Sequence, residues 1–269
     1  MNLSAVSSQL AKVLIRRSDD KISPYLVGVT GGQGAGKSTI CKHLASIFIE
    51  KEIPYLILSL DDFYLSKAER IALARKVHPL AKTRGVPGTH DVNLLSSVLR
   101  HFKSKNTIAS LRLPSFSKSD DELLPPDEWS HYNGTPRIIL LEGWCVGARS
   151  NFISSLPETI WEKENDQKGV WKNWSRSSAR KYEIIWDSLD YLALLRQKNF
   201  NQVIQDRWSQ ETNSYNSDGK RQFRSKAEVR KFCSLYESWT LAIWNEIPQY
   251  ADLILNCEPG FQYLWNDIK

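Results

Sequence analysis

The sequence predicts an α/β fold in which a mostly parallel sheet is flanked by helices. Short apolar, β-prone runs recur at 25–30, 54–60, 107–113, 136–142, 200–204 and 251–255. Segments with helical periodicity lie between most of them, at about 37–51, 66–77, 91–103, 179–197 and 226–246. Strands that alternate with helices favour parallel pairing and a sheet covered on both faces. We therefore expect residues 1–269 to form a single doubly wound domain.

The composition predicts a soluble globular protein. Hydrophobic residues make up 41% of the chain and charged residues 25%, and no apolar run approaches the roughly 18 to 20 residues that a membrane span needs. The first 21 residues have the spacing of an amphipathic helix and lack the apolar core of a secretory signal. The net charge of +6 comes from basic residues spread along the chain, whereas nucleic-acid binding favours a clustered patch. We expect a cytoplasmic monomer or weak homo-oligomer that binds neither membranes nor nucleic acid.

A glycine-rich phosphate-binding motif follows the first predicted strand. Residues 31–39 read G-G-Q-G-A-G-K-S-T and satisfy G-x-x-x-x-G-K-[ST]. Its glycines allow backbone N–H groups to turn toward phosphate oxygens, and the N-terminus of the next helix adds partial positive charge. We predict that Lys37 reaches the β- and γ-phosphates of ATP and that Ser38 places its hydroxyl on Mg²⁺. The predicted nucleotide contacts are Gly31, Gly32, Gln33, Gly34, Ala35, Gly36, Lys37, Ser38 and Thr39.

Carboxylates stand at the ends of two further predicted strands. Asp61 and Asp62 follow the run 54–60, and Glu142 ends the run 136–142. Ligands of α/β sheets bind at this carboxyl edge. We predict Asp61 as the catalytic base and a metal contact, with Asp62 as the alternative base, and Glu142 as the Walker-B-like acid that reaches Mg²⁺. A helix cap is the structural alternative for the aspartates, and Asp62 and Tyr64 are candidate substrate contacts.

The turn-rich segment 84–92 concentrates polar residues between two predicted helices. Arg84 and His90 are candidates to hold a substrate carboxylate or hydroxyl, because the arginine fork matches a carboxylate. A buried, hydrogen-bonded histidine is the alternative for His90. Asp91 is placed to cap the helix over 91–103.

Two further cations are candidates for contact with substrate. Lys118 follows the run 107–113 and is expected at the same sheet edge. Arg207 lies near the start of the polar segment 205–226, which we predict to be a lid over the nucleotide. It is the candidate to close on the transferring phosphate. The polar segment 149–178 contains three tryptophans and predicts a packed insertion, irregular or helical.

Together these motifs resemble the P-loop small-molecule kinases related to phosphoribulokinase, uridine kinase and pantothenate kinase, and within them the D-glycerate 3-kinase branch. The similarity lies in G-x-x-G-x-G-K-S-T at 31–39, S-L-D-D-F-Y-L at 59–65, R-G-x-P-G-T-H-D-V at 84–92, L-E-G-W-C-V-G-A at 141–148, and R-x-x-Q-E at 207–211. The resemblance implies a P-loop NTPase fold of the nucleoside/nucleotide kinase type. It also implies that Asp61, the first acid after the second strand, is the base and that Glu142 helps to hold Mg²⁺.

One segment departs from the branch pattern. The branch usually reads L-P-x-[FY]-D-K after its third strand, and here Ser117 replaces the acid. A D-R pair usually follows, and here the run is Asp120-Asp121-Glu122. Loss of an aspartate and an arginine together predicts either a compensated salt bridge or altered substrate contacts.

The sequence thus predicts an ATP-dependent kinase that phosphorylates a hydroxyl of a small organic acid such as D-glycerate. A nucleoside or pantothenate-like kinase is an alternative of the same class. A non-catalytic nucleotide-binding protein, or an NTPase that acts on a macromolecule, is an alternative of another class. The adjacent carboxylates at 61–62 favour the kinases, since a non-catalytic nucleotide-binding protein does not need a base positioned at an alcohol.

Overall fold

The structure is a computed structural model that describes residues 1–104, 110–218, 222–258, 260 and 262–267. In these ranges the strands are β1 (Tyr25–Gly31), β2 (Tyr55–Ser59), β3 (Ser110–Leu113), β4 (Phe116–Ser117), β5 (Glu122–Leu123), β6 (Ser130–Asn133), β7 (Ile138–Glu142), β8 (Tyr191–Gln197), β9 (Leu253–Glu258) and β10 (Gln262–Asp267). The helices are α1 (Leu3–Ser18), α2 (Lys37–Glu50), α3 (Lys67–Lys76), α4 (Val92–Lys103), α5 (Ile160–Asn165), α6 (Val170–Trp186), α7 (Phe200–Asp218), α8 (Lys226–Ser234) and α9 (Glu237–Glu246).

Among the described strands, six form a central sheet in the order β10-β9-β8-β1-β7-β2. The pairs from β9 to β2 are parallel, and β10 runs antiparallel to β9. Every residue of β1 and of β7 is buried, as expected for parallel strands covered on both faces. The prediction of an α/β fold with a mostly parallel sheet flanked by helices is confirmed.

Apolar helix faces cover both sides of this sheet. On one side, α1 and α2 pack with fully buried Leu10, Leu44 and Phe48. On the other side, α4, α6 and α9 contribute Phe102, Tyr182 and their neighbours. Within the described part of the chain, no helix is both long and apolar enough to cross a membrane. The two cores leave the carboxyl ends of β1, β2 and β7 at one edge, where their loops meet.

Several predicted elements are wrong. Residues 200–204 begin α7 and form no strand, while the strand of this region is β8, inside the helix predicted over 179–197. The run Tyr-Leu-Ala-Leu-Leu at 191–195 is apolar throughout, so its periodicity does not separate a buried strand from a buried helix.

The third predicted strand forms but does not join the central sheet. β3 pairs with β6 in a small antiparallel sheet outside the central one, and positions 107–109 of the prediction lie outside the described residues. The helix predicted over 226–246 is two helices, α8 and α9.

The predicted insertion and the predicted lid both contain helix. The segment 149–178 contains α5 and the first half of α6, and the rings of Trp161 and Trp171 meet with centroids 5.8 Å apart. Residues 205–218 of the predicted lid lie in α7. Positions 219–221 lie outside the described residues.

Candidate active site

The glycine-rich loop joins β1 to α2 at the carboxyl edge of the sheet. Gly36 is the N-cap of α2 with φ of 94°, and it supplies no capping side chain. Gly34 has φ of 79°, and a Cβ there would lie 2.7 Å from the Cβ of Asp206 in α7. Only glycine fits both conditions at position 34. The loop therefore approaches α7 closely and presents backbone to the ligand side.

Lys37 is folded back over this loop. Its Nζ donates to the carbonyl oxygens of Gly31 and Gly32, at 2.9 and 3.0 Å. Burial lowers the pKa of the ammonium group, and the charges of Glu142 and Asp61 oppose that effect. The cation is therefore held by neutral carbonyls, which phosphate oxygens can replace.

Ser38 and Glu142 form a pair of oxygen groups beside the loop. Ser38 Oγ donates to Glu142 Oε1 at 2.9 Å, and Ser59 Oγ donates to the same oxygen at 3.1 Å. Glu142 is 7% exposed and is aligned with Val29 of β1 and Ser59 of β2 by the sheet register. A hydroxyl beside a carboxylate at a P-loop suits Mg²⁺, which keeps few protein ligands and takes others from substrate phosphates. In the described residues, no group of three or more His, Cys, Asp and Glu side chains is arranged to hold a metal.

Asp61 follows β2 and carries two hydrogen bonds. Lys118 Nζ lies 2.7 Å from its Oδ2, and Tyr64 donates its hydroxyl to Oδ1 at 3.0 Å. Burial favours the neutral acid, but the charge and hydrogen bond of Lys118, together with His90 and Lys37, outweigh it and lower the pKa of Asp61. The helix-cap alternative does not apply, because Ser66 and Glu69 form the capping box of α3. Asp61 is thus an ionised carboxylate, as a base requires.

Asp62 supports the hairpin of β4 and β5 instead of facing a ligand. Its Oδ1 accepts a hydrogen bond from the backbone N–H of Phe116 at 3.2 Å. Burial raises the pKa of Asp62 to about 6. Asp62 is absent from the cleft lining, so we no longer expect it to contact substrate directly.

His90 is buried and has the structural role given above as its alternative. Its Nδ1 lies 2.9 Å from the Tyr182 hydroxyl, which also accepts a hydrogen bond from the N–H of Gly88. Its ring stacks on Tyr64 with centroids 4.3 Å apart. Burial lowers the pKa of His90 to about 4, so the ring is neutral. We correct the expected substrate contact: His90 supports Tyr64, which in turn contacts Asp61. Asp91 caps α4 as expected.

Arg84 and Arg207 line the cleft from two different segments of the chain. Arg84 forms an ion pair with Asp121, and its Nη2 donates to the carbonyl oxygen of Lys118 at 3.3 Å. Arg207 lies on α7, where its Nη1 is 2.9 Å from Glu211 Oε2 and its guanidinium covers the ring of Phe223. Both cations are therefore positioned by carboxylates of the protein.

One cleft of about 380 Å³ brings most predicted site residues together. They are Gln33, Gly34, Gly36, Lys37, Ser38, Thr39, Asp61, Tyr64, Arg84, Lys118, Glu142 and Arg207. Gly31, Gly32 and Ala35 belong to the loop but do not line the cleft. A larger groove of about 1060 Å³ lies between α5 and the helices α8 and α9. Its lining shares no residue with the cleft, so its size says nothing about the site.

Sequence reasoning missed a link between the loop and α7. Gln197 ends β8 and is 1% exposed, and its Nε2 donates to the carbonyl oxygen of Gln33 at 3.0 Å and to Asp206 Oδ2 at 3.1 Å. The incorrect strand at 200–204 hid this position. Ser59 was also missed, although a hydroxyl at the carboxyl end of β2 was a usable signal.

Known proteins resemble this chain at the level of family and fold. Residues 26–158, a segment that contains the P-loop, Asp61 and Glu142, match the model of the phosphoribulokinase / uridine kinase family. The similarity extends to D-glycerate 3-kinases. The chain is 28% identical over 250 residues to the chloroplastic D-glycerate 3-kinase of Arabidopsis thaliana, covering 88% of this chain and 52% of the plant enzyme. It therefore spans about half the length of that relative.

Two further proteins match this chain over a larger share of their own length. The uncharacterized kinase mug58 of Schizosaccharomyces pombe is 29% identical over 219 residues, which is 78% of each chain. The solved structure of D-glycerate 3-kinase from Cryptococcus neoformans var. grubii superposes with a TM-score of 0.78 over 98% of this chain and 99% of its own, at 22% identity. At that identity the structural likeness establishes the fold.

Proposed function

We propose that this protein is an ATP- and Mg²⁺-dependent kinase that phosphorylates a hydroxyl of a small organic acid, with D-glycerate as the first candidate. The observation that carries the proposal is the position of Asp61. This ionised carboxylate lines the same cleft as the P-loop and the Ser38–Glu142 pair. A base, a phosphate-binding loop and a magnesium pair in one cleft are the parts that phosphoryl transfer to an alcohol needs. The two D-glycerate 3-kinases among the similar proteins support the choice of acceptor.

Each residue of the cleft has a separate role in the proposed reaction. Ser38 and Glu142 would hold Mg²⁺, which neutralises phosphate charge when it is bound. Lys37 exchanges the carbonyls of Gly31 and Gly32 for phosphate oxygens. Asp61 accepts the proton of the acceptor hydroxyl, and Lys118 keeps that carboxylate ionised.

Two arginines complete the proposed site. Arg84 faces the acceptor, where its planar fork suits a carboxylate. Arg207 on α7 lies on the nucleotide side and would stabilise charge on the transferred group. We place all of these roles in one kinase domain.

A panel of acceptors tests the function. Purified protein is incubated with Mg²⁺, ATP and, separately, D-glycerate, L-glycerate, other small hydroxy acids, uridine and pantothenate, and ADP release is followed. We expect one hydroxy acid to stimulate ADP release strongly and the phosphorylated acid to be visible by ³¹P NMR. Lys37→Ala is the control, since a contaminating kinase would survive it. Stimulation by uridine alone would refute the proposed acceptor class, and stimulation by pantothenate alone would refute D-glycerate as the acceptor. Release unaffected by any small molecule would refute the kinase reaction.

A further inference from the structure

Asp121, at the turn of the β4–β5 hairpin, gathers two arginines on one carboxylate. Arg70 Nη2 lies 3.0 Å from Oδ1 and Arg70 Nη1 lies 3.2 Å from Oδ2, which makes a two-point contact. Arg84 Nη1 forms an ion pair with the same Oδ1. Arg70 also donates to the backbone oxygen of Asp121 at 2.7 Å. Asp121 is thus bound by two arginines through its side chain and by Arg70 through its backbone oxygen as well.

The surrounding structure holds Arg70 and Asp121 in place. Arg70 is 1% exposed and donates to the carbonyl oxygens of Leu65 and Lys82. Asp121 has φ of 57°, in the left-handed region that Asp and Asn tolerate best among residues with a side chain. The ring of Phe116 lies beneath both guanidinium groups, 5.8 Å from Arg70 and 5.4 Å from Arg84. The position of Arg84 therefore depends on a rigid partner.

The charges of Arg70, Arg84 and Asp121 do not sum to zero. Two guanidinium groups contact one carboxylate, so one positive charge remains in excess. Arg70 is enclosed, whereas Arg84 lines the cleft, so the excess acts on whatever enters there. Lys118 and Arg207 differ, because each is matched by one carboxylate, Asp61 and Glu211. Lys37 also has carbonyl oxygens instead of a carboxylate as partners, but it lies in the phosphate-binding loop. Away from that loop, the side of the cleft at Arg84 is therefore suited to attract an anionic group.

We propose that Asp121 is a positioning residue of the acceptor site, and that it aims Arg84 at the carboxylate of the acceptor. The proposal rests on the proposed function and deepens it, because it names the part of the substrate that this side of the cleft recognises. It also accounts for the departure from the branch pattern at Asp120-Asp121-Glu122, since the turn itself supplies the carboxylate partner of Arg84.

Asp121→Asn tests the proposal, since asparagine tolerates the same backbone conformation. We expect the KM for D-glycerate to rise about tenfold or more, with kcat and the KM for ATP each within about threefold of wild type. Glycerol, which lacks the carboxylate, serves as a neutral acceptor whose KM stays unchanged. Asp120→Asn is the matched control, because Asp120 is on the same turn, is exposed and contacts the hydroxyls of Ser117 and Ser119. Asp121→Glu keeps the carboxylate, so its KM for D-glycerate should lie between those of wild type and Asp121→Asn.

A fold defect must be separated from lost positioning. Arg70 is enclosed and loses a charged partner in Asp121→Asn, so circular dichroism melting accompanies each variant. Arg84→Lys provides a second route, because it leaves the Arg70–Asp121 contact in place and removes only the fork. The same selective rise in KM is expected from it. Equal effects on D-glycerate, glycerol and ATP, or no effect in either variant, would overturn the proposal.

The test also separates this inference from the proposed function. If wild type turns over D-glycerate and Asp121→Asn does so with unchanged KM, the inference fails and the kinase assignment stands. If wild type turns over no hydroxy acid, the assignment fails, and binding of D-glycerate is measured by calorimetry with a non-hydrolysable ATP analogue present. Binding that Asp121→Asn weakens supports the role of Asp121, while equal binding or none refutes it.

Discussion

Lys37 and Lys118 enter the cleft with different kinds of partner. Lys37 donates to two neutral carbonyl oxygens, whereas Lys118 meets the charged carboxylate of Asp61. Burial lowers the pKa of Lys37. Desolvation of the ammonium group opposes the charge of Lys118, but Asp61, with Glu142 and Asp62, outweighs that effect and raises the pKa of this lysine. In the proposed site, Lys37 would thus meet phosphate and Lys118 would set the protonation of the base.

Removal of the base should affect turnover more than binding. Asp61→Asn leaves a side chain of similar size but no proton acceptor of comparable strength. We expect kcat to fall by roughly 10² to 10⁴-fold, the usual contribution of a general base. Steady-state kinetics measure kcat, and calorimetry checks that the affinity for ATP is retained. A change confined to KM would show that Asp61 only positions the substrate.

The acid limb of the pH profile should depend on Lys118. Asp61 has a lowered pKa, so its function as a base is present above that pKa and is lost as the pH falls through it. Lys118→Met removes the charge that lowers this pKa and leaves the burial that raises it. We therefore expect the acid limb of kcat to move to higher pH in the variant. An unmoved limb in kcat measured against pH would exclude Lys118 as the group that tunes Asp61.

At the scale of elements, the P-loop packs directly against α7. Gly34 lies against Asp206, and Gln197 bonds to both segments. α7 carries Arg207, so the helix that supplies this cation rests directly on the phosphate-binding loop. The sequence predicted the loop well because its glycine spacing is local. It did not predict α7, because the apolar runs on either side of position 198 fit strand and helix equally.

A methyl group at this contact should impair ATP binding. In Gly34→Ala the added Cβ would meet Asp206 at 2.7 Å, and φ of 79° adds backbone strain of about 1–3 kcal/mol. Gly134→Ala is a matched control, since Gly134 has φ of 104° but a Cβ there meets nothing within 4 Å. Both variants should melt at lower temperature, and only Gly34→Ala should lose affinity for ATP, by at least about tenfold. Equal ATP affinities by calorimetry would contradict the contact.

At the scale of the whole molecule, the cleft is assembled from loops that the parallel sheet brings to one edge. Asp61 and Glu142 were predictable because each directly follows a strand, and the carboxyl ends of parallel strands converge. Asp121 was not, since its role depends on Arg70, 51 positions earlier in the chain. His90 and Asp62 were misplaced for a related reason. Their neighbours Tyr182 and Phe116 come from distant segments, and only the folded chain shows that they are enclosed.

A buried ion pair lies within the insertion and is linked to α9 by a hydrogen bond. Lys172 on α6 is 1% exposed and contacts Glu162 of α5 at 3.0 Å, and the Ser238 hydroxyl on α9 donates to the same carboxylate. Lys172→Met would leave Glu162 charged and enclosed, so we expect the free energy of unfolding to fall by about 3–5 kcal/mol.

Denaturant unfolding measures this change, and Lys163→Met on the exposed side of α5 is the control, expected to stay within about 0.5 kcal/mol of wild type. Neither lysine lines the cleft, so ATP affinity should survive in both variants. Comparable stabilities of the two variants would show that the buried pair contributes nothing.

The surroundings of Asp61 also bear on how the proposed base would be regenerated between turnovers. A carboxyl that has just taken a proton would lie beside an ammonium donor at 2.7 Å and a phenol donor at 3.0 Å, and both favour the anion. The side chain of Lys118 is 61% exposed, so solvent reaches the pair. In the proposed reaction the acquired proton therefore passes to water as the product leaves.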